Sequence, residues 1–127
     1  MEIQFKTHAL QNEISPKVTA LAQRKLIALK KYLKEGPDDT ILTHVYVELG
    51  KDSGAHQQGN IWFAQINLDR NGKRYTARAN AEKIEISVDK AVHELERELQ
   101  KAKQLRESLI KRGGVALKSM LRGYKLN

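Results

Sequence analysis

NIWFAQINLDRNGKRYTARANA, residues 60–81, decides the fold of this chain. Trp62, Ala64, Ile66 and Leu68 share one face at every second position, and Tyr75, Ala77, Ala79 and Ala81 alternate with Arg74, Thr76, Arg78 and Asn80. That period of two is the mark of strands with one face buried. Between the runs stands Asn71-Gly72, the dipeptide that suits a type I′ turn because both central residues take positive φ. The segment is therefore predicted to be an antiparallel hairpin, strands 60–69 and 73–81. The alanines of its second strand leave room for a helix to lie close.

Working outward, Thr43-His44-Val45-Tyr46-Val47-Glu48-Leu49 alternates in the same way and gives a further strand, as do Ile3, Phe5 and Thr7 against Glu2, Gln4 and Lys6. Between these two strands Ser15-Pro16 opens a helix, with Ser15 at the N-cap and Pro16 at the first helical position, where its missing N–H costs nothing. Ile14 is placed to pack onto Val18 across that cap. Val18, Leu21, Ala22, Leu26, Leu29 and Leu33 then form an apolar stripe that ends near Gly36-Pro37. After the hairpin, Ile84, Val88, Ala91, Val92, Leu95, Leu99 and Ala102 recur at helical spacing, and the long helix is expected to stop at about Arg112, before Gly113-Gly114.

The order is β-α-β-β-β-α, an α+β fold in which two helices cover one face of a four-stranded sheet. Residues 1–112 form the domain, and 113–127 read as a flexible basic tail that orders on binding. Residues 51–59, with two glycines and a serine, read as a mobile loop.

The chain has 127 residues with 23 Lys and Arg against 15 Asp and Glu, a formal charge of +8. Such a balance favours polyanionic partners through counterion release. The placement of the cations sharpens this. Lys17, Arg24 and Lys31 lie seven residues apart on the first helix, with Lys30 and Lys34 thickening the end; Lys90, Arg97 and Lys101 form a second stripe, with His93 between. If the helices pack side by side, the two stripes flank one groove that matches phosphates of a folded RNA, recognised by shape. Arg70, Lys73, Arg74 and Arg78 add cations at the hairpin, although such residues also protect sheet edges. Lys118 and Arg122 in the tail extend the basic surface. Tyr32, Tyr46, Tyr75 and Trp62 are spaced as core or half-buried residues and are not read as stacking platforms.

Catalysis has little to stand on. Cysteine is absent, which removes disulfides, thiolate metal sites and thiol nucleophiles. His8, His44, His56 and His93 fall in four different elements without ligand spacing, and Asp38-Asp39 reads as a turn rather than a magnesium site. Neither a cofactor nor a metal is expected. Nothing approaches the roughly 18 apolar residues of a membrane span or begins like a secretory signal, so the chain is expected to be cytoplasmic and to have no membrane partner.

Ile14-Ser15-Pro16 at the first helix, Lys25-Leu26 followed by Leu29 and Lys31-Tyr32, and Leu95-Glu96-Arg97-Glu98-Leu99 in the second helix, with the hairpin between, resemble the ribosome hibernation promoting factors and ribosome-associated inhibitors. The resemblance covers about residues 1–112. It implies a fold similar to the double-stranded RNA binding domain and a partner in the small ribosomal subunit, alone or within the 70S ribosome. By binding ribosomal RNA in the channel that messenger and transfer RNA use, the protein would then inhibit translation by occupancy while idle ribosomes are preserved. Basic residues of both helices make those contacts in relatives, and the matching positions are Lys25, Lys31 and Arg97. Lys17, Arg24, Lys90 and Lys101 extend the set by stripe geometry.

Where relatives begin the second helix with Asp-Met-Tyr, this chain has Lys83-Ile84-Glu85. It is expected to be a short-type factor without a self-dimerising domain, monomeric off the ribosome. Rival readings are a general structured-RNA binding module, a domain that meets an acidic protein, and, least supported, an enzyme.

Overall fold

Asn71 and Gly72 hold φ of 51° and 78°, so the turn that the sequence predicts is present with both central residues left-handed. In this computed structural model the described residues are 1–8, 14–33, 40–52 and 61–121, with side chains described as far as residue 112. The turn joins β3 (Trp62–Arg70) to β4 (Lys73–Ala81). Upstream lie β1 (Glu2–His8), α1 (Pro16–Ile27) with a 3₁₀ turn over Ala28–Tyr32, and β2 (Thr43–Lys51); α2 (Ile84–Leu121) closes the chain.

The sheet order is β1-β2-β3-β4. β2, β3 and β4 run antiparallel, whereas β1 pairs with β2 in parallel, Ile3 opposite Val45 and Phe5 opposite Val47. A parallel neighbour needs a crossover, and α1 supplies it. The predicted β-α-β-β-β-α arrangement is therefore the one observed.

Register puts Val45, Val47, Leu49, Ala64, Ile66, Leu68 and Ala77 on one face, where they meet Val18, Ala22, Leu26, Leu29 and Leu33 from the first helical segment and Ile84, Val88, Ala91, Leu95 and Leu99 from α2. These residues form one continuous core. α2 packs on β3, β4 and α1, and the small Ala77, Ala79 and Ala81 opposite it make that approach possible. Each fully buried leucine contributes about 2 kcal/mol of hydrophobic stabilisation. Ile14 also packs against this core. Ser15 holds the extended N-cap conformation but makes no side-chain cap bond; its carbonyl accepts from the Val18 N–H at 3.0 Å instead.

Gly50 is fixed by a different demand. A Cβ there would lie 2.6 Å from the His8 carbonyl oxygen, so only glycine lets β1 lie this close to β2 at that register.

Two helix boundaries differ from expectation. The first helix is not α-helical to Leu33: it tightens into a 3₁₀ turn after Ile27, keeping Leu29 and Leu33 buried. α2 does not stop at Arg112 but continues through Gly113-Gly114 to Leu121. A glycine weakens a helix by about 1 kcal/mol relative to alanine but still donates its backbone hydrogen bond, so two of them do not by themselves make an end. At 38 residues the helix is about 57 Å long. The expected helix end at Gly36-Pro37, the Asp38-Asp39 turn, most of the 51–59 loop and residues 122–127 lie outside the described residues.

Candidate nucleic-acid interface

The burial of Val18, Ala22 and Leu26 turns the opposite side of α1 to solvent, and Lys17 and Arg24 stand on it, both exposed. Seven residues of α-helix complete nearly two turns, so the two cations lie almost on one line. Lys31 does not continue that line. It sits in the 3₁₀ turn, where each residue advances about 120° rather than about 100°, and its ammonium lies 5.1 Å from the centroid of the Tyr32 ring.

On α2 the burial of Val88, Ala91, Leu95 and Leu99 leaves Lys90, His93 and Arg97 outward. They line a shallow depression of about 290 Å³ with Glu94 and Glu98. Lys101 pairs with Glu98 at 3.7 Å.

The expected groove between two basic stripes is not what the helices make. The side of α2 that faces α1 carries Asp89, Glu96 and Gln100, about a quarter turn from Lys90 and Arg97. Asp89 pairs with Lys25 at 2.9 Å, and Tyr32 donates its hydroxyl to Glu96 at 3.2 Å and accepts from Gln100 at 3.0 Å. The seam is closed by polar bridges, and the stripes stand on the outer surface to either side of it. Lys25 is thus half-buried in a structural pair. Lys17, Arg24, Lys90 and Arg97 make no ion pair among the described residues.

The other face of the sheet spends its charges differently. Arg78 donates to Gln65 at 3.0 Å and to Asp52 at 3.3 Å, and its guanidinium lies 4.2 Å from the centre of the Phe63 ring. Arg74 grips Asp69 through two bonds, of 2.5 and 2.7 Å. That grip holds the Asp69 carboxyl below the usual carboxylate range. Arg70 is not a surface cation at all. It is 9% exposed and donates to the Ile41 carbonyl at 2.7 Å and the Thr43 hydroxyl at 3.2 Å, fastening the entry to β2. Alternation offered the signal for this, since Arg70 falls two residues after the inward Leu68.

Lys118 belongs to α2 beyond the described side chains, and Arg122 lies outside the described residues. His8 pairs with Glu48 at 3.8 Å and His44 with Glu2 at 3.2 Å, both on the outer sheet face. Among the described residues no group of three His, Cys, Asp or Glu is placed to hold a metal ion, and no helix is long and apolar enough to cross a membrane.

Residues 3–107 match the family described as Sigma 54 modulation protein / S30EA ribosomal protein. Among solved structures the chain is similar to the N-terminal domain of Protein Y from Thermus thermophilus, at 20% identity and a TM-score of 0.59, over 80% of this chain and 98% of that one. It is also similar to a ribosomal subunit interface protein from Coxiella burnetii, at 23% identity and a TM-score of 0.56, over 82% of this chain and 99% of that one. At these identities the likeness shows the fold. No curated protein matches.

Proposed function

The chain belongs to the Sigma 54 modulation protein / S30EA ribosomal protein family, a ribosome-associated family, and from that premise we propose that it is a cytoplasmic hibernation factor of the small ribosomal subunit. It binds ribosomal RNA in the channel that messenger and transfer RNA use, and it inhibits translation by occupancy, without chemistry of its own. Lys17, Arg24, Lys90 and Arg97 are the principal phosphate contacts, with Lys31 and Lys101 beside them. Lys25 serves chiefly to join the two helices through Asp89.

The observation that carries this reading is the outward helix surface, where four cations stand without ion-pair partners among the described residues. A cation already paired must give up its partner to meet a phosphate. An unpaired one need not, and each such contact adds counterion-release free energy that falls with salt.

The test is cosedimentation of the purified protein with small subunits and with 70S ribosomes at low and moderate salt, beside the variant Arg24→Glu, Lys90→Glu, Arg97→Glu. Binding that this variant loses, together with inhibition of a translation reaction by the parent protein only, supports the proposal. Absence of cosedimentation at both salts, with tight binding to a naked RNA duplex, would transfer the site to the general RNA-binding reading.

A further inference from the structure

A second concave site lies at the end of the sandwich, away from the outer helix surface. It is an open cleft of about 220 Å³ where the hairpin tip, the 3₁₀ turn and the departing α2 meet. Its floor is aliphatic, from Leu33, Leu99 and Ala102, and Tyr32 and Tyr75 line it as well. Leu105 also lines it while 59% exposed, a large apolar side chain left uncovered.

The charged lining has one sign. Arg70, Lys73 and Arg106 are its ionisable cations, and no carboxylate among the described residues lines the cleft. Each of the two tyrosines also carries a lysine: the Lys73 ammonium lies 5.2 Å from the centre of Tyr75 and that of Lys31 lies 5.1 Å from the centre of Tyr32. Arg106 reaches the Tyr32 carbonyl oxygen at a long 3.5 Å, which keeps its guanidinium at the cleft. Arg70 is fastened to Ile41 and Thr43 and contributes its field rather than a free donor.

We propose that this cleft receives one unpaired nucleotide of an RNA strand. The base lies against the tyrosines and the aliphatic floor, and the phosphates flanking it meet Lys73 and Arg106. An aromatic and apolar platform rimmed by cations is the arrangement by which proteins hold single-stranded nucleic acid. The volume suits one base rather than a helix, and two aromatic walls suit a planar ring better than an aliphatic side chain. The proposal rests on the ribosome-bound reading only for the source of the strand, and it adds a contact to looped RNA beside the shape-reading helix surface.

The experiment uses the full chain labelled with nitrogen-15, titrated with the single-stranded hexanucleotide of uridine and, separately, with uridine monophosphate. The amides of Asn71, Gly72, Leu105 and Arg106 report on the cleft. The expected result is saturable shifts there with the hexanucleotide, about tenfold weaker in Lys73→Ala, Arg106→Ala, whereas the helix variant Arg24→Glu, Lys90→Glu, Arg97→Glu, though weaker overall through its lower net charge, still shifts the same cleft amides. The logarithmic salt slope falls by about 1.4 in the cleft variant, about 0.7 for each single-strand phosphate that no longer meets a cation. Thermal melting checks that both variants stay folded.

Shifts confined to the outer helix surface overturn the proposal, as does equal affinity for the mononucleotide or tighter binding of an acidic peptide at the same amides. Cosedimentation with small subunits separates the two readings. A silent cleft in a protein that still binds ribosomes defeats this inference alone, and an occupied cleft in a protein that does not bind them defeats the ribosomal reading alone.

Discussion

The outer face of the sheet and the outer face of the helix layer both carry arginines on a polar surface, yet they are opposite in electrostatic availability. On the sheet, antiparallel register sets Asp69 directly opposite Arg74, Asn67 opposite Thr76 and Gln65 opposite Arg78, and each of these pairs is hydrogen-bonded. On the helices, Asp89 is drawn into the seam by Lys25 and Glu96 by Tyr32, and Glu98 pairs with Lys101, while Arg24 and Arg97 make no ion pair among the described residues. Charge composition alone does not distinguish the two surfaces. What distinguishes them is whether the backbone geometry delivers an acceptor to each cation before a partner arrives.

The largest effect comes from the layer that holds the two faces apart. Leu95 is fully buried between α2 and the sheet, and Leu95→Ala is expected to cost about 3 kcal/mol of stability, read as a lower urea midpoint with an unchanged slope. Ribosome binding should fall only as the folded fraction does. A loss of affinity in fully folded protein would mean that α2 shifts as a unit and that its outer surface depends on the depth of packing.

The charge contrast itself is tested by reversing one face at a time. The helix variant described above is expected to lose about 100-fold or more in small-subunit affinity and to weaken its salt dependence, with little change in stability. Arg78→Ala should do the converse. It uncovers Phe63 and frees Gln65 and Asp52, costing about 0.5–1 kcal/mol after solvent screening, while affinity stays within about threefold of the parent. If Arg78→Ala weakens binding as strongly as the helix variant, the sheet face contacts RNA too and the contrast fails.

How much of this could be read from the residues follows from the range of the interactions. The hairpin, the alternating faces and the start of α2 at Ile84 are local, set by periods of two and 3.6 and by one turn dipeptide, and they were legible. The outward placement of Lys17, Arg24, Lys90 and Arg97 was legible too, because burial of one helix face fixes the other, whereas Lys31 leaves the line in the 3₁₀ turn. The seam was not. Lys25 meets Asp89, and Tyr32 meets Glu96, across 64 positions in each case, and no periodicity reports such a pairing. Phe63 escaped as well: it sits on the face that alternation assigns to solvent and is buried there because Gly50 opposite it has no side chain and Arg78 covers it. At Gly113-Gly114 a composition signal misled, since helix continuation depends on the good helix formers around a glycine pair as well as on the pair.

The smallest expected effect isolates the sheet side of the comparison. Hydrogen bonds from Arg74 hold the Asp69 carboxyl below its ordinary value of 3.8. A carboxylate whose folded value is depressed contributes stability that is fully present above its unfolded value and is lost as pH falls through the folded one. The difference in stability between the parent and Asp69→Asn should therefore stay flat from neutral pH down to the ordinary carboxylate range and shrink below it. Because the pair is exposed, added salt should reduce the difference at every pH. Carbon-13 titration of the Asp69 carboxyl checks the direction independently, and a midpoint at or above 3.8 would show that the Arg74 grip does not persist in solution. Arg74 would then join Arg24 and Arg97 as a cation open to a phosphate, and the distinction between the two faces would rest on Arg78 alone.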